Sequence, residues 1–470
     1  MIKFFKQFFI YGFASILGKI AAVFLLPIYT NVLSQNEYGA MALITAAKGI
    51  IDLFSNLNIH SGVARDYYEK DIDRIKLIST GFYSILFFSI IVFVILYTTQ
   101  HFWIVNVLNV AGYEKSFVVM LLTIPAGSLF SYFAILTRYK QKAVLYSVGT
   151  VFQLLIQISL TIYFVVALRA GIVGVFYGIL GGEIIGILFF FFLNKEFIKI
   201  RFDKNLLQRI LVFSLPTLPA ILAGWLDSSL GQILIGKYVS VKDVGIYSVA
   251  LRISSVFLLF NIAFGNVWYP YLYENIKNKK FSTEVLRLFN VVASILLILS
   301  INISLLSNEI VLLLSNKNYI EAGKYLIILS IPMSITILNW FSIMGPNISR
   351  KTKYVSYATI MGSTLNIALI ITLLPFYGVI VVPIALGISR IASYFISSYY
   401  TKREIQINLP VKPILMLIVG VLICFFLKQS IFHKYIIWLV LGLFNAVMIY
   451  YFYKKYNLTN VLQKFALIRE

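Results

Sequence analysis

The sequence predicts an all-α polytopic membrane protein with about fourteen transmembrane helices. Three observations predict it. Apolar segments of roughly twenty residues, the length needed to cross a bilayer, recur along all 470 residues. Charged residues make up 12% of the chain, against about 25% in soluble globular proteins. Lys and Arg concentrate in alternate connecting segments, the pattern that orients membrane proteins.

The first span, Phe8–Tyr29, follows the charged start Met1-Ile2-Lys3-Phe4-Phe5-Lys6. Its apolar run is too long for a signal peptide and has no small-residue cleavage site where one is needed. Ala40–His60, Ile78–Tyr97, Phe117–Thr137, Val144–Leu168 and Ile172–Leu193 follow as spans 2 to 6. Spans 7 to 12 are Ile210–Ile235, Ile246–Val267, Leu288–Leu306, Tyr325–Met344, Tyr354–Leu374 and Val379–Tyr399. The short Ile414–Leu427 and then Ile436–Tyr453 complete the count. Pro216 and Pro219 in span 7 and Pro332 in span 10 are expected to kink or loosen their helices, since proline removes a backbone donor.

With the N-terminus inside, the inner segments hold 28 of the 40 Lys and Arg, the outer loops 8, and the membrane itself 4. Both termini are therefore expected on the cytoplasmic side. The net charge of +22 belongs to this bias, and nucleic-acid binding is not expected. The one cysteine, Cys424, and three scattered histidines give no disulfide and no metal-ligand spacing. No cofactor is expected.

Two outer loops repeat. Ser34-Gln35-Asn36-Glu37-Tyr38-Gly39 follows span 1, and Ser240-Val241-Lys242-Asp243-Val244-Gly245 follows span 7. Ser, the acid and Gly recur at matching positions six spans apart. A shift of six spans preserves orientation, so the repeat predicts two parallel lobes about an axis along the membrane normal. The boundaries are 1–205 for the first lobe, 206–400 for the second, and 401–470 for two extra spans and a cytoplasmic tail.

Four bases lie inside spans: Lys19, Lys48, Arg252 and Arg390. Each costs about 2.5–3.5 kcal/mol at a helix centre on insertion scales. They imply a cavity that favours positive charge. Thr45, Lys48, Asp52 and Ser55 share one face of span 2. Lys48 and Asp52 either weld two helices as an ion pair or form a cavity wall. Arg252 lies nearer the outer end of its span and could instead extend to the interface. Asp52, Glu183 and Asp227 are embedded acids, suited either to proton or sodium coupling or to helix–helix hydrogen bonds. Gln153 and Gln157, with Thr150 and Thr161, mark one face of span 5. Amides there suit sugar hydroxyls and equally glue helices.

Enzyme classes fit poorly. The outer loops are short and their acids isolated, which disfavours a glycosyltransferase or a glycan polymerase. No phosphate-binding glycine loop occurs, so the chain carries no ATP-driven engine. A channel is disfavoured because no filter-like repeat occurs.

The segments Phe8-Phe9-Ile10-Tyr11-Gly12-Phe13-Ala14-Ser15-Ile16-Leu17-Gly18-Lys19 and Leu26-Pro27-Ile28-Tyr29-Thr30-Asn31-Val32-Leu33-Ser34-Gln35-Asn36-Glu37-Tyr38-Gly39 resemble bacterial oligosaccharide flippases. So does Ile235-Gly236-Lys237-Tyr238-Val239-Ser240-Val241-Lys242-Asp243-Val244-Gly245 in the second half. These flippases form the polysaccharide-transporter branch of the multidrug/oligosaccharidyl-lipid/polysaccharide exporter superfamily. The resemblance spans essentially the whole chain.

It implies two six-helix lobes plus two C-terminal helices around a central cationic cavity. It also implies movement of undecaprenyl-diphosphate-linked oligosaccharide across the bacterial cytoplasmic membrane for surface polysaccharides such as O-antigen. Lys19, Lys48 and Arg252 sit in the spans whose bases line that cavity in related flippases, and Arg390 adds a further base. The expected partners are the lipid-linked substrate, the bilayer and a glycan polymerase or transferase; the chain itself is expected to be a monomer. The competing readings are a multidrug-type cation exporter of the same superfamily, which would favour acids in its cavity, and a membrane glycan polymerase.

Overall fold

The computed structural model describes residues 17–18, 20–429 and 441–445, which form helices joined by short turns, with no β-strand among them. Ten helical stretches are long and apolar enough to cross a membrane. The longest, Lys353–Ile405, is two helices, Lys353–Tyr377 and Val381–Ile405, separated at Gly378, whose φ of +68° a side chain would disfavour. These stretches cover the expected spans 2 to 12. The second half of span 1 is the helix α1 (Ile20–Val32), and span 13 is the helix Lys412–Gln429. The first part of span 1, and span 14 apart from residues 441–445, lie outside the described residues.

Three helix ends differ from the sequence reading, each for a local reason. Span 2 becomes α2 (Gln35–Asn56), which stops where Leu57 and Asn58 turn left-handed, with φ of 47° and 53°. The side chain of Asn56 accepts from the Asn58 N–H and holds the turn, and α3 (Ile59–Asp66) starts afresh. Span 7 is preceded by α8 (Lys204–Ser214), and a 3-10 turn at Leu215–Thr217 leads into α9 (Leu218–Tyr238). This is the loosening expected of Pro216 and Pro219. Span 8 breaks between α10 (Val241–Ser254) and α11 (Val256–Asn275). At the break the Ser254 and Ser255 hydroxyls donate back to the Leu251 and Arg252 carbonyls, a competition that bends helices.

The helices form two compact units. The first holds the described residues through Leu259 together with Val311–Ala322 and Thr359–Ser389. Its core joins α3, α4 (Arg74–Thr98), α5 (Glu114–Tyr139), α7 (Gly171–Asn194) and α8 through Ile59, Ile78, Phe133, Phe190 and Ile210. Within it Tyr132 Oη donates to the Ile78 carbonyl at 2.8 Å, and Asn194 Nδ2 donates to Thr137 Oγ1 at 3.0 Å.

Helix α7 carries glycine at every fourth position, Gly174, Gly178, Gly182 and Gly186. This ridge lies on α6 (Ala143–Ile162) and the π-helical turn that continues it to Ala167. A Cβ at Gly178 would fall 2.7 Å from Thr161 Cα, and one at Gly182 would fall 2.6 Å from Gln157 Cβ. Small residues at this spacing let membrane helices approach backbone to backbone.

The second unit contains Phe260–Ile310, Gly323–Ala358 and the described residues from Arg390 on. Its interior packs the Trp268 ring at a tilt against Phe341, with Trp268 Nε1 donating to the Trp340 carbonyl at 3.1 Å. Ser300 and Ser334 share a buried hydrogen bond of 2.9 Å. Lys428 reaches Glu309 at 3.1 Å, and Cys424 is buried beside that pair's helix turn.

Candidate functional site

The polar face of α2 opens into a cavity of about 280 Å³ within the first unit. Lys48, Asp52 and Asn56 supply one wall. Ser128, Ser131 and Phe130 of α5 supply a second, and Gln153, Gln157 and Glu183 of α6 and α7 a third. Five residues singled out in the sequence therefore meet here: Lys48, Asp52, Gln153, Gln157 and Glu183.

Each is held by identifiable contacts. Lys48 Nζ lies 2.8 Å and 3.1 Å from the two Asp52 carboxylate oxygens, one helical turn away. The pair is incompletely buried, with side-chain exposures of 15% and 35%. One turn on, Ser55 Oγ lies 3.2 Å from Ser128 Oγ and ties α2 to α5. Gln153 Nε2 donates to Gln157 Oε1 at 3.0 Å. Glu183 is 8% exposed, and its Oε2 is buried without a hydrogen-bond partner. A Cβ at Gly127 would fall 2.8 Å from Glu183 Oε1, so only glycine leaves that carboxylate its place. A Cβ at Gly186 would fall 2.6 Å from the Phe130 ring and 2.9 Å from Gln153 Cγ.

The cavity therefore holds an ammonium paired with a carboxylate, a second carboxyl group, amides and hydroxyls. Asn56, Phe130, Ser131 and Gly127 were not among the residues singled out in the sequence. The four-residue glycine spacing of α7 is the signal that could have drawn α5, α6 and α7 together around Glu183.

The other candidates lie elsewhere. Arg252 is in the last turn of α10, where a cation complements the helix C-terminus. Its guanidinium carbon sits 5.6 Å from the centroid of the Tyr29 ring. Its Nη1 is buried with no hydrogen-bond partner, and it makes no ion pair among the described residues. Asp227, on α9 and 8% exposed, accepts from Asn366 Nδ2 at 3.1 Å, while Asn366 Oδ1 is buried without a hydrogen-bond partner. Arg390 belongs to the second unit. Lys19 lies outside the described residues. No cluster of metal-ligating side chains occurs among the described residues.

A profile of the family described as polysaccharide biosynthesis protein matches residues 28–324. The chain belongs to the polysaccharide biosynthesis protein family. No curated protein sequence gives a significant match.

Solved structures place this family member in a transporter fold. It is similar to the lipid II flippase MurJ in an inward closed conformation, with a TM-score of 0.73 and 17% identity over 97% of this chain and 99% of that one. It is also similar to an inward-facing multidrug resistance MATE family transporter of the MOP superfamily. There the TM-score is 0.65 and the identity 15%, over 85% of this chain and 94% of that one. A MOP superfamily transporter from Pyrococcus furiosus gives a TM-score of 0.57 and 17% identity, over 86% and 95%. Identities this low establish the fold. With ten apolar helices, that fold makes this polysaccharide biosynthesis protein a multi-pass membrane protein. The stretch matched by the family profile contains the cavity, Arg252 and Asp227.

Proposed function

We propose that this protein is a flippase. It carries undecaprenyl-diphosphate-linked oligosaccharide from the inner to the outer leaflet of the bacterial cytoplasmic membrane by alternating access. The product feeds surface polysaccharide synthesis, as O-antigen, capsule or exopolysaccharide. The observation that carries the reading is Arg252, whose buried Nη1 has no hydrogen-bond partner and which makes no ion pair among the described residues. A cation kept in a membrane-spanning segment without a carboxylate calls for an anionic ligand, and a diphosphate accepts guanidinium hydrogen bonds in pairs.

In this reading Lys19, Arg252 and Arg390 serve the diphosphate at successive stages, and Lys48, Gln153 and Gln157 serve the glycan. The lobes that rock are 1–205 and 206–400, followed by two further helices in 401–470. Asp227 is the preferred ion-coupling group, since its carboxylate and Asn366 Oδ1 offer oxygen ligands to a small cation. Asp52 and Glu183 are the other acids that could take a proton. The protein works as a monomer beside a glycan polymerase or transferase, with both termini in the cytoplasm.

The test is translocation of a labelled polyprenyl-diphosphate oligosaccharide in vesicles containing the purified chain. Charge-assisted hydrogen bonds are worth about 1.5–3 kcal/mol, so Arg252→Ala should slow translocation about tenfold or more. An unchanged rate would overturn the reading. Lengthening of the glycan during the assay would point to a polymerase.

A second reading, a cation exporter, is favoured by the unpartnered carboxylate of Glu183. Export of a lipophilic cation abolished by Glu183→Gln, with no glycan movement by the unmodified chain, would establish it.

A further inference from the structure

We infer that the cavity of the first unit is a monosaccharide site, selective for sugar rings that carry no carboxylate. This rests on the flippase reading and names the part of the carried molecule that the cavity holds. The diphosphate belongs to another station.

Charge decides against an anion here. Lys48, the one cation of the lining, is neutralised by Asp52 at 2.8 Å. A phosphate or uronate would find no free cation there, only an ammonium already occupied by a carboxylate. The lining also decides against a bare metal cation. A metal ion needs a close cage of oxygen ligands, whereas about 280 Å³ is far too roomy and one wall carries an ammonium.

The lining matches a sugar ring. Each sugar hydroxyl is both donor and acceptor, and the amides of Asn56, Gln153 and Gln157 offer both. Gln153 Nε2 donates to Gln157 Oε1, so the Gln157 amide keeps its own N–H groups for a ligand. Glu183 Oε2 is an acceptor, more than nine-tenths buried, with nothing donating to it. A ring hydroxyl or N-acetyl N–H would satisfy it. Phe130 supplies the one aromatic surface for the ring's C–H face. The volume lies near the lower end of small-molecule pockets, about 300–1,000 Å³, which suits one ring and not a chain of them.

The site is also built to stay open. Gly127 leaves room for the Glu183 carboxylate, and Gly182 and Gly186 bring α7 against the two glutamines and Phe130. Larger residues at these positions would fill the space a ring requires.

The experiment is ligand-observed NMR titration of the purified full chain in lipid nanodiscs with N-acetylglucosamine and with glucuronate. N-acetylglucosamine should bind saturably, and glucuronate about tenfold more weakly or worse, the ratio equivalent to 1.4 kcal/mol. Asp52→Asn, which frees the Lys48 ammonium, should bring the two sugars to within about threefold. Gln157→Leu should abolish binding of both. Equal binding of the two sugars to the unmodified chain would overturn the inference, as would no saturable binding, or selectivity unmoved by Asp52→Asn. Should Asp52→Asn fail to fold, Ser131→Val at the cavity wall gives the second test, and unchanged sugar binding there also overturns it. Vesicle translocation separates the two ideas. A chain that translocates without sugar preference refutes the site and leaves the flippase, while selective binding without translocation does the reverse.

Discussion

Gly39 and Gly245 meet where α2 crosses α10, each lying against the other's backbone. A Cβ on Gly39 would fall 3.0 Å from the Gly245 amide nitrogen, and one on Gly245 would fall 3.1 Å from that of Gly39. The reciprocity extends to the caps. The Ser34 hydroxyl accepts from the Glu37 N–H, and the Ser240 hydroxyl accepts from the Asp243 N–H. The two loops that repeat in sequence thus pack on each other as equivalents.

Gly39→Ala and Gly245→Ala should each destabilise the protein by about 1–3 kcal/mol, because a methyl placed against a neighbouring backbone forces the helices apart. Gly224→Ala is the control. Nothing lies within 4 Å of its Cβ position, and alanine is the better helix former. Detergent-solubilised thermal melts should show the first two lowered and the third level or raised.

The Lys48–Asp52 pair should behave as a unit. Lys48→Met alone leaves a carboxylate without its partner, and Asp52→Leu alone leaves an ammonium. The double variant should recover part of the loss, with a coupling of about 0.5–3 kcal/mol in a double-mutant cycle of melting data. Strict additivity would show that the two side chains do not interact in the folded protein.

Asp227→Asn should separate transport from its driving force. Translocation down the substrate gradient should persist in vesicles, while acceleration by an imposed proton or sodium gradient should vanish. Loss of both activities together would place Asp227 in the general architecture and not in coupling.

Asp203 caps α8, accepting from the Asn205 and Leu206 N–H groups, and pairs with Lys76 at 2.6 Å. The Lys76 hydrogen bond, followed by the Leu206 N–H, holds its carboxyl below the ordinary range. A lowered folded value contributes stability above the unfolded pKa of about 3.9, and that contribution is lost as pH falls through the folded value. The melting difference between the natural chain and Asp203→Asn should therefore be present at neutral pH and shrink below about pH 4.

Much of this was legible from spacing alone. Thr45, Lys48, Asp52 and Ser55 fall on one helix face by their intervals of three and four, and the structure turns Lys48 and Asp52 to one cavity. The repeat around Gly39 and Gly245 was equally readable, because serine, acid and glycine each do a local job. Convergence of distant helices was not. Nothing in the local sequence around Glu183 says that Gly127, forty and more residues earlier in the chain, makes room for its carboxylate. The break at Ser254–Ser255 escaped for a different reason. Hydropathy continues across it, and only the hydroxyls' choice of backbone carbonyls interrupts the helix.

Cys424 is the one thiol of the chain, and it is 4% exposed. The protein is thus close to a blank background for sulfhydryl chemistry. A single Cys424→Ala exchange would complete it. Reporter cysteines placed in the Arg65–Lys76 or Lys195–Arg209 loops could then be probed with impermeant maleimides in intact and in permeabilised cells, giving the sidedness of each loop directly.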